Sequence, residues 1–122
     1  MSEIELQRSI IKTLQHFPWL EVRRNSIIKR GFYSGGLGDG SSDLIVCVER
    51  ARDGAGLMGA IEVKESEAKF LEQANAKPGT KLHKRHTEQL GFIERIRALG
   101  GFGGFVWSVD MATELVTKAR KS

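Results

Sequence analysis

The sequence of 122 residues has one cysteine, two prolines and no long hydrophobic run. A single cysteine excludes an intrachain disulfide, and Cys47 lies in an apolar stretch, which predicts a small core residue in a reducing compartment. No segment approaches the ~18 consecutive apolar residues of a membrane-spanning helix. The acidic N-terminus, Met-Ser-Glu-Ile-Glu, is unlike a secretory signal peptide. We therefore expect an intracellular, cytoplasmic protein that does not act on membranes.

The motifs of several common functional sites are absent as well. His83 and His86 have no neighbouring cysteines, so no zinc-binding spacing is present. The segment Gly36-Leu-Gly-Asp-Gly40 lacks the Lys-Ser/Thr ending of a phosphate-binding P-loop, and it precedes a predicted strand instead of following one. No nucleophile-elbow pattern supports a Ser-His-Asp triad. The chemistry that remains to be considered is that of carboxylates.

Composition predicts one soluble globular domain over residues 1–122. Hydrophobic residues make up 40% and charged residues 28% of the chain, and the length allows one core but not two. Nineteen basic and fifteen acidic side chains give a formal charge of +4. This excess favours a polyanionic partner only weakly, because many soluble proteins have a similar charge.

The spacing of apolar residues predicts the order α-β-β-β-α-β, with a sheet flanked by helices. The first helix begins with a capping box of Ser2 and Glu5, and the second presents Leu90, Ile93, Ile96 and Leu99 on one face and ends before Gly100. The predicted segments are a helix over 2–17, a strand over 19–28, a glycine-rich loop over 32–40, a hairpin over 40–64, a short helix over 66–76, a mobile basic loop over 77–85, a helix over 86–99, a turn over 101–104, a strand over 105–109 and a helix over 112–121.

The hairpin carries three charged residues at its open end. Asp43 begins its first strand, and Glu62 and Lys64 end its second. Side chains alternate faces along a strand, so Glu62 and Lys64 point the same way. A turn centred on Asp53-Gly54 would place Asp43 opposite Lys64 on that face, provided that no bulge intervenes.

Two carboxylates and one lysine at a hairpin end suit metal-dependent phosphodiester hydrolysis. Clustered carboxylates repel one another unless a cation is bound, and their oxygens suit Mg²⁺ or Mn²⁺. Such an ion activates water, and a nearby lysine stabilises charge on the phosphoryl group. The alternative is an ordinary surface ion pair, worth about 0–1 kcal/mol.

These residues resemble motifs of the PD-(D/E)xK nuclease superfamily, and within it the VRR-NUC domain. Gly40-Ser-Ser-Asp-Leu-Ile45 is similar to the family motif Gly-x-Pro-Asp-Leu-Ile, with Ser42 in place of proline. Ile61-Glu-Val-Lys64 is similar to its Glu-x-Lys motif, and Gln89 lies in a segment similar to its glutamine-bearing helix. The resemblance covers about residues 3 to 110. It implies a restriction-endonuclease-like α/β fold, a mixed sheet flanked by helices.

The resemblance also implies a role for each matching residue. Asp43 and Glu62 would bind Mg²⁺ or Mn²⁺ with the backbone carbonyl of Val63. Glu5, matching the acidic residue of the family's first helix, would reach the metal directly or through water. Lys64 would act on the attacking water or the transition state. The side chain of Gln89 would hold Lys64, the metal-bound water or the substrate phosphate.

Two groups of basic residues precede the glycine-rich loop and the glutamine helix, and we expect them to contact DNA phosphates. A solvated charged surface is the alternative interpretation. The first group is Arg23, Arg24, Lys29 and Arg30, and the second is Lys81, His83, Lys84, Arg85 and His86. Phosphate contacts of this kind supply most of the non-specific affinity for DNA.

The resulting functional hypothesis is a metal-dependent DNA endonuclease. The resemblance implies a bacterial or phage-encoded homodimer that acts on branched DNA, such as four-way junctions, in DNA repair. Two alternatives stay open, namely a catalytically inactive nucleic-acid-binding protein on a nuclease fold and a restriction-type or RNA-directed nuclease.

Overall fold

The structure is a computed structural model that describes residues 1–25, 29–30, 33–34, 37–38 and 40–122, and for residues 29, 30, 33 and 34 the backbone alone. Its elements are α1 (Glu3–Leu14), β1 (Leu20–Arg24), β2 (Lys29–Arg30), β3 (Tyr33–Ser34), β4 (Leu44–Glu49), β5 (Gly56–Val63), α2 (Glu67–Ala74), α3 (Lys81–Ala98), β6 (Phe102–Val106) and α4 (Val109–Arg120). The predicted glycine-rich loop and the end of the predicted first strand lie largely outside the described residues.

Four strands form one mixed sheet in the order β1-β4-β5-β6. Strand β4 is antiparallel to both β1 and β5, whereas β5 and β6 are parallel. Strands β2 and β3 form a separate two-stranded sheet. The core order α1-β1-β4-β5-α3-β6 therefore confirms the predicted mixed sheet flanked by helices.

The main core lies between one face of the sheet and the helices α1 and α4. Ile10, Leu14, Val46, Ile61 and Val116 are all buried in this layer. Helix α3 covers the other face next to β5 and β6, where a smaller apolar cluster forms. Two layers of helices therefore enclose the β5–β6 half of the sheet.

Cys47 is exposed, so the prediction that it is a core residue was wrong. In β4 the side chains of Leu44, Val46 and Val48 are buried, and the residues between them point to the opposite face. An apolar stretch predicts burial but does not show whether one or both faces of the strand are buried. Helix α3 lies over β5 and β6 instead of β4, and the strand is therefore buried on one face only.

Helix α1 begins as predicted and ends earlier than predicted. The hydroxyl of Ser2 accepts a hydrogen bond from the backbone N–H of Glu5 at 3.2 Å, which confirms the cap. The helix ends at Leu14, three residues before the predicted Phe17. Phe17 instead stacks on Trp19, with ring centroids 4.7 Å apart, in the turn that leads to β1.

Helix α3 begins at Lys81, so residues 81–85 are helical and the prediction of a mobile loop there was wrong. The hydroxyl of Thr80 caps the helix by accepting from the N–H of His83 at 3.2 Å. This Thr cap was missed because the basic first turn has no apolar periodicity. The prediction that Gly100 follows the helix is confirmed, but Leu99 is 67% exposed and does not share the buried face of Ile93.

Strand β6 begins at Phe102, where a turn was predicted over 101–104. A Cβ atom on Gly103 would lie 2.6 Å from the carbonyl oxygen of Ala60, its partner on β5. Glycine is thus required by the close approach of β6 to its neighbour. The glycines of this segment predict a turn, but Gly103 instead permits close packing inside a sheet.

The β4–β5 hairpin is confirmed, but its register differs from the predicted one by two residues. Leu44 pairs with Ile61 and Glu49 with Gly56, and the same register places Asp43 across from Glu62 instead of Lys64. The shift is an even number of residues, so the predicted faces of the side chains are retained.

The connecting turn explains the shift in register. A two-residue type I′ turn needs positive φ at both central residues, whereas Gly54 has φ +73° and no non-glycine residue of the described chain has positive φ. The side chain of Asp53 instead accepts two hydrogen bonds from Arg50, at 2.9 and 2.6 Å, and a third from the N–H of Ala55 at 3.0 Å. These bonds stabilise a longer loop.

Among the described residues, no helix has both the length and the apolar character that crossing a membrane would require.

Candidate active site

Three elements bring the predicted site residues together at one edge of the sheet. Glu62 and Lys64 lie at the C-terminal end of β5, and Asp43 directly precedes the antiparallel strand β4. Glu62 points to the sheet face that α3 covers, because it alternates with the inward-facing Ile61 and Val63 of the main core. The side chain of Gln89 extends from α3, which covers this face, and contacts Glu62.

A buried chain of hydrogen bonds links three of these side chains. The Nζ of Lys64 donates to Oε1 of Gln89 at 2.8 Å, and Nε2 of Gln89 donates to Oε1 of Glu62 at 2.9 Å. Lys64 and Glu62 are also 3.8 Å apart from Nζ to Oε1. Glu62, Gln89 and Lys64 are 2%, 5% and 6% exposed, respectively. The amide of Gln89 therefore holds the ammonium and the carboxylate at a set separation.

Asp43 is tied to β5 by hydrogen bonds that continue the hairpin beyond its regular ladder. The backbone N–H of Asp43 donates to Oε2 of Glu62 at 3.1 Å, and the backbone N–H of Val63 donates to Oδ2 of Asp43 at 2.8 Å. One oxygen of each carboxylate is thus held by a backbone N–H. The two acidic side chains are fixed next to each other at the end of the strands.

The electrostatics of the cluster follow from burial and from charge crowding. Burial, together with the nearby carboxylate of Asp43, raises the pKa of Glu62. Burial lowers the pKa of Lys64 against the opposing effect of Glu62, and the charge of Arg85 adds to the lowering. Both shifts favour the neutral forms. The buried cluster therefore opposes full ionisation of its acid and its base.

The structure does not bring Glu5 to this cluster. Glu5 is exposed and accepts a hydrogen bond from the hydroxyl of Ser2 at 3.1 Å. Glu3 faces the site instead: it is partly buried, and burial and the charge of Asp43 raise its pKa. A sequence signal for this was present, because Glu3 precedes the buried residues Leu6 and Gln7 by three and four positions and so shares their helix face.

Two cavities flank the cluster. One, of about 230 Å³, is bordered by Asp43, Glu62, Gln89 and Arg85. The other, of about 270 Å³, is bordered by Glu3, Lys64 and, again, Arg85. Arg85 lies on α3 one turn before Gln89 and lines both cavities. Its guanidinium therefore borders both cavities beside the acidic pair.

The other basic residues that were predicted to contact DNA differ in whether their side chains already contact other residues of the protein. Arg24 donates to Oε1 of Gln7 at 3.3 and 3.2 Å, and Arg23 forms an ion pair with Glu21. Lys81 and Lys84 are exposed on the first turns of α3. The side chains of Lys29 and Arg30 lie outside the described residues.

His86, predicted to contact DNA as part of the second basic group, is only partly exposed. Its ring stacks on Phe105, with centroids 5.2 Å apart, and meets the edge of Phe70. Phe70 in turn stacks on Trp107. His86 thus belongs to an aromatic cluster that joins α2, α3 and β6. The cluster lies next to Lys64, whose Nζ is 5.8 Å from the ring centroid of Phe105.

The donor set suits a hard divalent cation. Asp43, Glu62 and the Val63 carbonyl offer only oxygen atoms, and no group of three or more His, Cys, Asp or Glu residues within the described ranges could hold a metal ion. Mg²⁺ and Mn²⁺ are bound through one or two carboxylates plus water and substrate phosphate, so two carboxylates are enough. Zinc, which prefers nitrogen and sulfur ligands, does not fit this set.

The comparisons with known proteins concern the whole fold. No protein-family model matches the chain, and no curated protein matches it. A solved structure described as a VRR_NUC domain matches 94% of this chain and 94% of its own length, with 23% sequence identity and a TM-score of 0.54. This likeness shows that the chain has the fold of a VRR_NUC domain.

Proposed function

We propose that this protein is a metal-dependent DNA endonuclease that hydrolyses phosphodiester bonds. The observation that supports it most strongly is the buried hydrogen-bonded chain of Glu62, Gln89 and Lys64, with Asp43 held beside it. Burying the carboxylate of Glu62 beside the partly buried carboxylate of Asp43 costs several kcal/mol, and a purely structural ion pair would need only one carboxylate. Groups with such perturbed pKa values beside a cavity are typical of functional sites.

In this proposal Asp43 and Glu62 hold one divalent cation, with the carbonyl of Val63 as a further ligand. A bound Mg²⁺ or Mn²⁺ ion neutralises charge on the phosphate and makes water a better nucleophile. Lys64, held by Gln89 with its Nζ 2.8 Å from Oε1, orients the attacking water and stabilises the negative charge of the transition state. Gln89 does not react itself but sets the position of Lys64 relative to Glu62.

DNA binds across the two cavities in this proposal, and Arg85 contacts the phosphate nearest to the acidic pair. Lys81 and Lys84 extend the same surface along the exposed side of α3. Contacts to phosphates supply affinity without base specificity, so binding should weaken steeply with salt. No described feature calls for recognition of a particular base sequence.

Branched DNA, such as a four-way junction, is the proposed substrate, and the motif resemblance of the sequence motivates it. Symmetric cuts on two strands need two active sites, which a two-fold homodimer supplies. At 122 residues a second subunit would also extend the DNA-binding surface. Sedimentation of the chain with and without a junction measures its oligomeric state. A monomer bound to the junction would contradict the proposed dimer.

The test compares cleavage of a labelled four-way junction with that of linear duplexes made from the same strands, in Mg²⁺, Mn²⁺ or EDTA. We expect the junction to be cut in either metal and not in EDTA. The Lys64→Met variant should lose cleavage but still bind the junction, because the charge is lost while the side-chain volume is kept. Lys12→Met is the matched control, since Lys12 is exposed in the last turn of α1 and lines neither cavity.

The other outcomes identify the alternatives. Binding without cleavage by the unmodified chain would mean an inactive nucleic-acid-binding protein. Equal cleavage of junction and duplex would overturn the branched substrate. Cleavage at one duplex sequence would indicate a restriction-type enzyme, and cleavage of RNA alone would indicate an RNA-directed one.

A further inference from the structure

Asn25, which directly follows β1, is hydrogen-bonded to the segment that leads to Asp43. Its Nδ2 donates to the hydroxyl of Ser41 at 2.7 Å and to the carbonyl of Ser42 at 2.9 Å. Its Oδ1 accepts from the backbone N–H of Leu37 at 3.0 Å. Its own backbone N–H donates to the carbonyl of Asp43 at 2.8 Å. All four bonds go to residues between 37 and 43.

The bonds from Asn25 to Ser41 and Ser42 are partly buried, whereas the bond from Leu37 is exposed. Ser41 is 8% exposed and Ser42 is fully buried. The hydroxyl of Ser41 accepts from Asn25 and also donates to the carbonyl of Gly38 at 2.6 Å, so it links Asn25 to the glycine-containing turn before it. A buried polar group that loses its partner costs about 1–3 kcal/mol. The segment is therefore held in one arrangement by hydrogen bonds from a single asparagine side chain.

Asp43 depends on this support because it lies outside the regular strand. The β4 ladder begins at Leu44, which pairs with Ile61 on one side and Arg24 on the other. The ladder thus restrains the chain after Asp43, whereas Asn25 restrains the residues before it. A metal ligand has to be held within about 0.5 Å of its productive position, so both restraints are needed.

We propose that Asn25 is a positioning residue that orients the carboxylate of Asp43 for the divalent cation. The proposal rests on the proposed function, since it concerns the same acidic pair. Asn25 touches neither the cation nor the DNA. It acts through the backbone of Ser42 and Asp43 and through the hydroxyl of Ser41. Its loss should therefore weaken metal binding and leave metal-independent DNA binding intact.

The test measures the affinity of the chain for Mn²⁺ in the absence of DNA, from the electron paramagnetic resonance signal of free Mn²⁺. Asn25→Ala should raise the dissociation constant about tenfold, the lower end of the range for residues that support a metal ligand. Ser41→Ala removes only part of the network and should raise it less, about threefold. Asn75→Ala is the matched control, because Asn75 is exposed at the end of α2.

Cleavage assays supply a second readout. With Asn25→Ala, the Mn²⁺ concentration for half-maximal cleavage should rise by the same factor, while the rate at saturating Mn²⁺ stays within about threefold of the unmodified rate, as expected for lost metal binding alone. Junction affinity in EDTA should not change. A lower rate at saturating Mn²⁺ with unchanged Mn²⁺ affinity would overturn the positioning role.

The outcomes separate the two proposals. If the unmodified chain binds no Mn²⁺, or if Asp43→Asn binds it as tightly, the proposed function fails. If the unmodified chain binds Mn²⁺ and Asn25→Ala binds it equally well, only the role of Asn25 is overturned. Should Asn25→Ala not fold, as judged by circular dichroism, Ser41→Ala decides: unchanged Mn²⁺ affinity in that variant overturns the proposal.

Discussion

Asp43 lies across the end of the β4–β5 hairpin from Glu62, and its backbone N–H donates to Oε2 of Glu62 at 3.1 Å. The contact fixes two carboxylates side by side at a point that α3 shields from solvent. The side chain of Gln89 on α3 forms hydrogen bonds with Glu62 and Lys64, at 2.9 and 2.8 Å respectively. The resulting cluster leads to four predictions about stability, proton binding and DNA affinity.

Replacing Gln89 by leucine should destabilise the fold and reduce cleavage. The change leaves Lys64 and Glu62 buried without the amide that bridges them, at a cost of about 1–3 kcal/mol in the free energy of unfolding. Urea unfolding measures this loss. Gln73→Leu is the matched control, because Gln73 is also buried but lies outside the Glu62–Gln89–Lys64 chain. Equal destabilisation by both variants would contradict the bridging role.

The contribution of Glu62 to the stability of the metal-free protein should fall as the pH rises from about 5 to about 7. Burial and the charge of Asp43 raise the pKa of Glu62, so the folded state keeps a proton there that the unfolded state releases above its ordinary pKa of ~4.3. The stabilisation that comes from this bound proton is complete below the ordinary pKa of Glu62. It is lost as the pH rises through the raised pKa of Glu62 in the folded protein. The free energy of unfolding should therefore decrease by up to about 1 kcal/mol per pH unit.

Glu62→Gln isolates this effect, because glutamine keeps the shape of the protonated carboxyl and cannot titrate. Urea unfolding in EDTA at several pH values should give a shallower decrease for the variant than for the unmodified chain. Parallel curves for the two proteins would show that the raised pKa of Glu62 is not the cause.

Glu3 and Glu5 should differ in their effect on cleavage. Glu3→Gln removes a carboxylate that interacts with Asp43 and Lys64, and we expect cleavage to fall about tenfold, as for other groups adjacent to metal ligands. Glu5→Gln, two residues away and exposed, should change the rate by less than about twofold. Cleavage rates of the two variants at equal Mg²⁺ check this. A larger loss with Glu5→Gln would restore Glu5 as the acidic residue of the site.

Arg85→Gln should weaken DNA binding and reduce its dependence on salt. Arg85 lines both cavities, so its removal should lower the slope of log affinity against log salt by about 1. Arg24→Gln is the comparison, because Arg24 is already engaged by Gln7 and should change the slope less. Fluorescence anisotropy over a salt series measures both. An unchanged slope with Arg85→Gln would place the phosphate contact elsewhere.

Much of the site could be predicted from local patterns. The alternation of side chains along β5 placed Glu62 and Lys64 on one face, and that face is confirmed because an even register shift cannot change it. The cap at Ser2 and the glycine after α3 are likewise confirmed, since both depend on a few adjacent residues. The prediction of Glu5 as the acidic residue ignored the face of α1, although the positions of Leu6 and Gln7 indicated it.

The rest did not follow from the periodicity of side chains. The Arg50–Asp53 bonds decide the hairpin turn, and so the register that pairs Asp43 with Glu62. These two residues are only three positions apart, but the prediction of a two-residue turn took no account of their contact. The exposure of Cys47 has no local sequence signature, because it depends on where α3 lies over the sheet.

The sequence by itself determined the order of the core elements, the faces of the strands and the presence of two carboxylates and a lysine at one hairpin end. These features follow from the periodicity of side chains along the backbone. Only the tertiary structure decided that Gln89 joins Lys64 to Glu62, that the face of α1 with Glu3 meets the cluster and that Asn25 supports Asp43. The physical reason is that each of these contacts joins residues from separate elements, which meet only when the strands pair and the sheet packs against α1 and α3.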